Sequence, residues 1–279
     1  MSKCRVEDIE FIEMHRSLIF LMFITLYCEG CSETFERTDD GIVTVGVYSD
    51  SGAAQACVIA AKNMFEWMGY TVDLIDANTI NNEDIRDIDI FYFPGGSSRP
   101  YIIDITDEGK DKIRQMISAG SGYIGTCASG MFAAEVQIWR GTTYSEGQLE
   151  IFPGTAEGPI PEIFEYPEIG MCQVNLVHPH PITEGEPDSV WILYYDGPFF
   201  DPESGAAVEI IGRYQITDQA ALVACEYGSG RVFLTGPHPE WEEDSDRDSV
   251  SYFDHFDDRG SDWSLMQNAT RWCLHETGE

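Results

Sequence analysis

Residues 121–126 form a short apolar run that ends in a burst of small side chains, Gly125-Thr126-Cys127-Ala128-Ser129-Gly130. This pattern predicts a buried strand turning sharply into a helix, with the helix read over residues 131–138. A strand-to-helix elbow is crowded, so only small residues fit beside its apex, and the apical side chain is pushed clear of the backbone. Cys127 stands at that apex. Unbonded N–H groups at a helix N-terminus favour the anionic form of a thiol, which makes Cys127 a candidate nucleophile. Far downstream, Gly236-Pro237-His238-Pro239-Glu240 follows the strand-like run Gly230–Thr235. It supplies a histidine and a carboxylate two residues apart, the base and orienter that a cysteine nucleophile needs. The two segments predict a Cys127–His238–Glu240 triad.

The elbow sits in a chain whose first half alternates strand and helix signals. Residues 42–48 are rich in β-formers and end in the turn Ser49-Asp50-Ser51-Gly52. A helix follows to about Met68, with Val58, Ala61, Phe65 and Met68 on one face and Gly69 as its stop. Residues 71–75 and 88–93 read as strands, the second ending in Pro94-Gly95-Gly96, and 108–117 as an amphipathic helix stopped at Gly120. Such alternation predicts an α/β fold with a mostly parallel central sheet and helices on both faces. Ligands bind such sheets beyond the carboxyl ends of the strands, where Gly95-Gly96 and Cys127 both fall. The second half is richer in strands, read over 148–152, 190–195, 207–211, 220–227 and 231–235. Gly228-Ser229-Gly230 makes a hairpin between the last two. Residues 264–275 suit a closing helix. With no repeat and no linker after Asp40, residues 41–279 read as one domain.

Charge and cysteine content narrow the partners. The 279 residues carry 16 basic and 49 acidic side chains, a formal net charge of -33. That surface repels nucleic acid and anionic membranes and is read as a solvated face that does not itself mark an active site. The 43% hydrophobic and 12% aromatic content supports a packed core rather than disorder. Residues 18–27 are an uncharged apolar run, too short for a comfortable transmembrane helix and suited to a secretory signal. Met14-His15-Arg16 would form its basic start, with Met14 as the natural first residue, and Gly30-Cys31 its cleavage or lipidation site. Residues 1–31 are thus read as a signal peptide or lipoprotein signal, residues 32–40 as a linker, and the product as exported or membrane-anchored. From Cys31 onward six cysteines remain, at spacings that fit neither a zinc site nor a dense disulfide scaffold. Several are expected to be small buried hydrophobes.

With Pro94-Gly95-Gly96, the Cys127 elbow and His238-Pro239-Glu240 in this order, the chain resembles the class I glutamine amidotransferase-like superfamily. Within it, the likeness points to the domain found at the N-terminus of some eukaryotic biotin-protein ligases and as a separate prokaryotic protein. Val47-Tyr48-Ser49-Asp50-Ser51-Gly52-Ala53, His180-Pro181-Ile182 and Gly228-Ser229-Gly230-Arg231-Val232 carry that choice, over residues 41–245. The resemblance implies a flavodoxin-like three-layer sandwich with additional β-strands in the second half. It also implies Cys127 as nucleophile, His238 as base and Glu240 as its orienter. The backbone N–H groups of Gly96 and Ala128 are candidates for an oxyanion hole, where losing one donor typically costs about 3 kcal/mol. One position departs from the family pattern: Ser129 stands where amidotransferases usually carry glycine.

The expected activity is a cysteine-dependent amidase or hydrolase acting on a small amide or acyl substrate, with no cofactor or metal. A non-catalytic binding or sensor module on the same fold is the alternative. A further alternative is an amidotransferase-like subunit needing a separate acceptor protein. Biotin ligation is not expected, because the resemblance stops at the ligases' N-terminal domain and no Gly-Arg-Gly-Arg biotin-binding loop occurs. His178 and His180 lack a third metal ligand. Residues 244–248 resemble a calcium loop, but Ser249 stands where glycine is needed. Asn268-Ala269-Thr270 is a glycosylation sequon on a predicted helix, and Trp241 and Tyr195 are candidate pocket residues.

Overall fold

In the computed structural model, which describes residues 41–242, 246–256 and 260–276, strands and helices alternate as far as the elbow. The order is β1 (Thr44–Tyr48), α1 (Gln55–Trp67), β2 (Thr71–Ile75), α2 (Ala77–Asn82) and β3 (Ile90–Phe93). It continues through α3 (Ser98–Asp104), α4 (Asp107–Ala119), β4 (Gly122–Thr126) and α5 (Ala128–Ala133). The capping chemistry explains α4. Thr106 accepts the Gly109 N–H through its hydroxyl, Asp107 and Glu108 fill the first turn, and Gly120 closes the helix at φ 126°.

After α5 the chain is mostly β: β5 (Ala134–Trp139), β6 (Thr142–Tyr144), β7 (Phe152–Gly158), β8 (Gly170–Leu176), β9 (Ser189–Tyr194) and β10 (Phe199–Pro202). Then come β11 (Val208–Tyr214), β12 (Ala220–Tyr227) and β13 (Gly230–Thr235), and finally α6 (Trp263–Cys273). Strands β2, β1, β3, β4 and β13 lie side by side in parallel and make the central block. From β13 the sheet continues antiparallel through β12, β10 and β7, then through β5 and β6, while β11, β8 and β9 branch from β12. Tyr227 pairs with Gly230 across the expected hairpin.

The period-2 alternation of the central strands sorts their side chains into two cores. Val45, Val47, Ile90, Tyr92, Ile124 and Phe233 pack on one face, with Val58, Ala61 and Phe65 of α1 and Trp263, Leu265 and Met266 of α6. Tyr48, Phe91, Phe93, Tyr123, Val232 and Leu234 pack on the other, with Ile80 of α2, Tyr101 of α3, Ile113 of α4 and Phe132 of α5. This gives the three-layer α/β architecture. All described residues fall in one compact unit. The proposed signal segment, the Met14 start, the Gly30-Cys31 site and the 32–40 linker lie outside the described residues. Among the described residues, no helix is long and apolar enough to cross a membrane.

Two expected elements are corrected. Residues 131–138 are not one helix: α5 stops at Ala133 and the chain continues as β5, which pairs in parallel with β7. Val136, Ile138 and Trp139 favour a pleated strand once a ladder partner is present, which overrides the helical reading. The strand expected over 148–152 begins only at Phe152. Glu150 takes φ 54°, incompatible with a strand, and the N–H groups of Leu149 and Ile151 bond the carbonyls of Phe132 and Ala133 at the end of α5. The cysteines Cys57, Cys127, Cys172, Cys225 and Cys273 are all free and buried.

Central-block packing makes a direct prediction. Ile124 is fully buried in β4, an interior strand of the block, whereas Ile216 is 61% exposed. Urea unfolding should show Ile124→Ala costing about 2–5 kcal/mol. Ile216→Ala should stay within about 0.5 kcal/mol. Equal effects would contradict this assignment of the core.

Candidate active site

The carboxyl ends of three neighbouring strands build the site. Thr235 of β13 is in register with Thr126 of β4, and Phe93 of β3 with Gly125, so the three strands end almost flush. Each then delivers one piece within a few residues: Gly95-Gly96 after β3, Cys127 after β4, His238 after β13. Cys127 is the first residue beyond its strand, and its backbone N–H donates to the Thr235 carbonyl at 2.8 Å. Its φ of 55° and ψ of -110° place it in the strained conformation that a nucleophile elbow demands. Ser129 accounts for its own presence there. Its buried hydroxyl reaches the carbonyl oxygens of Phe93 and Thr126, tying the first turn of α5 to the ends of β3 and β4.

His238 is held from several sides. Its N–H donates to the Leu193 carbonyl at 2.8 Å, and its ring stacks on Trp241 with centroids 4.8 Å apart. A Cβ on Gly95 would lie 2.3 Å from His238 Cε1, so the glycine makes room for the imidazole. Nδ1 lies 2.8 Å from Glu240 Oε1, and the glutamate is fully buried, its own carbonyl accepting from Trp263 Nε1 at 3.0 Å. In the neutral imidazole, with its proton on Nδ1 shared with the carboxylate, the lone pair falls on Nε2, which has no hydrogen-bond partner within the protein. Burial pushes the imidazole pKa down. The charge of the adjacent Glu240 carboxylate more than offsets it and holds the pKa well above its ordinary 6.5. The Cys127 thiol is within interaction range of this ring and lies 3.6 Å from the Tyr195 carbonyl.

Gly96 and Ala128 line the same cavity as Cys127 and His238, a space of about 670 Å³. Ala128 is the first residue of α5, so its N–H has no acceptor within the helix. Gly96 pairs with Ala53, but the bonds closing that pair run from Ala54 to Gly95 and from Ser97 to Gly52, leaving the Gly96 N–H directed away from the pair. Tyr195 and Trp241 line the cavity as expected.

The structure also brings in residues the motif reading did not single out as site residues. Cys57, in the first turn of α1, places its sulfur 3.8 Å from His238 Nδ1. Burial above all, and then Glu240, push this thiol up to about 12, so it stays protonated beside the pair. Its signal was positional: α1 follows the carboxyl end of β1, on the same edge as Gly95 and Cys127. The atoms of Cys57, His238 and Glu240 lie close enough together to hold a metal ion, although Nδ1 and Oε1 are already engaged with each other. His178 and His180 do not converge: His180 caps a 3-10 turn by accepting the Ile182 N–H. The sequon's Thr270 is fully buried, and Asn268 donates to the carbonyls of Ile182 and Glu184, so neither side chain is presented for glycosylation.

Residues 43–265 match the family described as biotin-protein ligase, N terminal. The chain belongs to the biotin-protein ligase N-terminal family. A biotin–protein ligase of Schizosaccharomyces pombe is 26% identical over 223 residues, covering 71% of this chain and 33% of the ligase. An uncharacterised protein of Chlamydia muridarum is 26% identical over 161 residues, covering 54% of this chain and 60% of that protein. The match therefore spans about a third and three-fifths of these relatives' lengths. Among solved structures, a glutamine amidotransferase from Thermotoga maritima superposes with a TM-score of 0.54 at 12% identity, covering 83% of this chain and 98% of that one. That likeness establishes the amidotransferase-like fold for this member of the ligase N-terminal family.

The raised imidazole of this family member is testable. A ring-proton titration by NMR should place the His238 midpoint well above 6.5, and Glu240→Gln should lower it. Because the folded pKa exceeds the unfolded one, the stability this group contributes is fully present below about pH 6.5 and is lost as pH rises through the folded value. A wild-type midpoint at or below 6.5 would contradict the arrangement.

Proposed function

We propose that this protein is a cysteine-dependent hydrolase of small amide or acyl compounds. The observation that carries this reading is the strained Cys127 elbow beside a buried His238–Glu240 pair, with Cys127 and His238 lining one cavity. Cys127 attacks the substrate carbonyl after giving its proton to His238, and Glu240 stabilises the imidazolium that forms. The N–H groups of Gly96 and Ala128 receive the developing oxyanion. His238 then returns the proton to the leaving amine or alcohol, and water releases the acyl group from sulfur with His238 again as base.

Ser129 supports the same reading rather than weakening it. Its hydroxyl is consumed in holding the elbow to β3 and β4, so it leaves the nucleophile position intact. Transfer of ammonia to an acceptor is a separate matter. The relatives' remaining length, and whatever chemistry it carries, lies beyond the matched region.

A panel of amides and esters, assayed on the purified protein, tests this directly. Cys127→Ala should abolish turnover of any compound that is hydrolysed. His238→Ala should lower kcat/KM by about 10²–10⁴-fold. Full activity in Cys127→Ala would sink the proposal.

A further inference from the structure

Two carboxylates line the cavity, and they differ in kind. Glu146 is exposed at the rim, as is Arg99. Asp196 is only 7% exposed, and its Oδ1 accepts no hydrogen bond from the protein. A buried carboxylate without donors is costly, and burial pushes its carboxyl pKa up against the partial relief given by His238 and Arg140.

The chain is nevertheless built to hold it there. Asp196 is the second residue beyond β9 and takes φ 56°, a left-handed conformation. The Tyr194 hydroxyl donates to the Gly197 carbonyl at 2.9 Å, and the Tyr214 hydroxyl to the Pro198 carbonyl at 2.8 Å. A Cβ on Gly197 would come within 1.9 Å of the Gly236 carbonyl oxygen, so the turn is pressed against the segment leading to His238. The preceding residue, Tyr195, is the one whose carbonyl lies 3.6 Å from the Cys127 sulfur. The carboxylate is thus fixed one residue from the nucleophile's neighbour.

The rest of the wall suits a cation. Trp139, Tyr144, Tyr166 and Tyr195 line the cavity, and ring faces attract positive charge. One of them already does so, since the Arg140 guanidinium sits 4.6 Å over the Tyr166 ring.

We propose that Asp196 is a specificity residue for cationic substrates: amine-bearing amides or esters whose ammonium group docks on its carboxylate within the aromatic wall while their carbonyl reaches Cys127. This rests on the hydrolase reading above. The ammonium supplies the missing donors, and the fixed turn sets the distance between charge and scissile carbonyl. The acidic surface draws cations toward the protein in general, but only a buried fixed charge orients one.

Methanethiosulfonate reagents of matched size test this without requiring a known substrate. The aminoethyl, hydroxyethyl and sulfonatoethyl reagents carry positive, neutral and negative charge. Each is applied at high salt to screen the surface field. Modification is read on the Cys127 peptide by mass spectrometry, because Cys57 lines the same cavity. With each rate divided by the same reagent's rate on a small free thiol, the aminoethyl reagent should exceed the sulfonatoethyl one by at least about tenfold, the factor expected for a charge-assisted hydrogen bond. Asp196→Asn should bring that ratio to about unity, with each variant's own hydroxyethyl rate as the reference, and Glu146→Gln should leave the ratio in place. In the wild-type protein, a primary alkylammonium salt should protect Cys127 and the matched alkylcarboxylate should not. An unchanged ratio in Asp196→Asn, no charge preference in wild type, or equal protection by both salts would overturn the proposal. Failure of the hydrolase reading would show differently, as a hydroxyethyl rate that His238→Ala leaves unaltered.

Discussion

The shared register of β3, β4 and β13 is the constraint on which the site depends. Because Phe93, Gly125–Thr126 and Thr235 end at nearly the same level, three loops distant in sequence open onto one point. A slip of one residue in any of these ladders would turn its side chains to the opposite core and withdraw one component from the site. The hydrogen bond from Cys127 N–H to the Thr235 carbonyl and the Ser129 hydroxyl's contacts with Phe93 and Thr126 fasten the three ends together. Glycine is required where this assembly is tightest. Gly95 leaves room for the imidazole, and Gly96, at φ 143°, would place a Cβ 2.0 Å from the Gly52 carbonyl oxygen.

On that frame the electrostatics follow from burial. Glu240 and His238 are both shielded from water, so neither is tolerable alone, and each compensates the other. Trp241 covers the ring and Phe253 covers Trp241, with centroids 4.3 Å apart, which keeps the pair dry. In a chain with 49 acidic residues the informative carboxylates are therefore the few that are buried. Glu240 gives Oε1 to His238 and keeps an unbonded Oε2 away from the cavity lining, whereas Asp196, with Oδ1 unbonded, lines the cavity itself.

Much of this was legible in the sequence, for definite reasons. The central strands announce themselves because they are buried on both faces and read as continuous apolar runs, as in Ile90–Phe93. The elbow is marked by its small residues, and His238 and Glu240 by their place just after a strand. The second half was harder. Strand β8, Gly170–Leu176, alternates buried and less buried positions but includes Asn175 and Gln173, and β10 contains Pro202. Residues 131–138 misled because a short helix passes straight into a strand, and only the β7 ladder decides where one ends. Cys57 and Asp196 carry no motif of their own. Their roles come from tertiary neighbours: the imidazole beside Cys57, and the clamped turn beneath Asp196.

The proposed hydrolysis passes through a covalent intermediate on the sulfur at the elbow. The most direct measurement is mass spectrometry of protein quenched in acid while it turns over an activated ester or amide. An acyl adduct confined to the Cys127 peptide, and lost in Cys127→Ala, is the result expected. Turnover with no adduct on Cys127, or an adduct on another residue that survives Cys127→Ala, would contradict it.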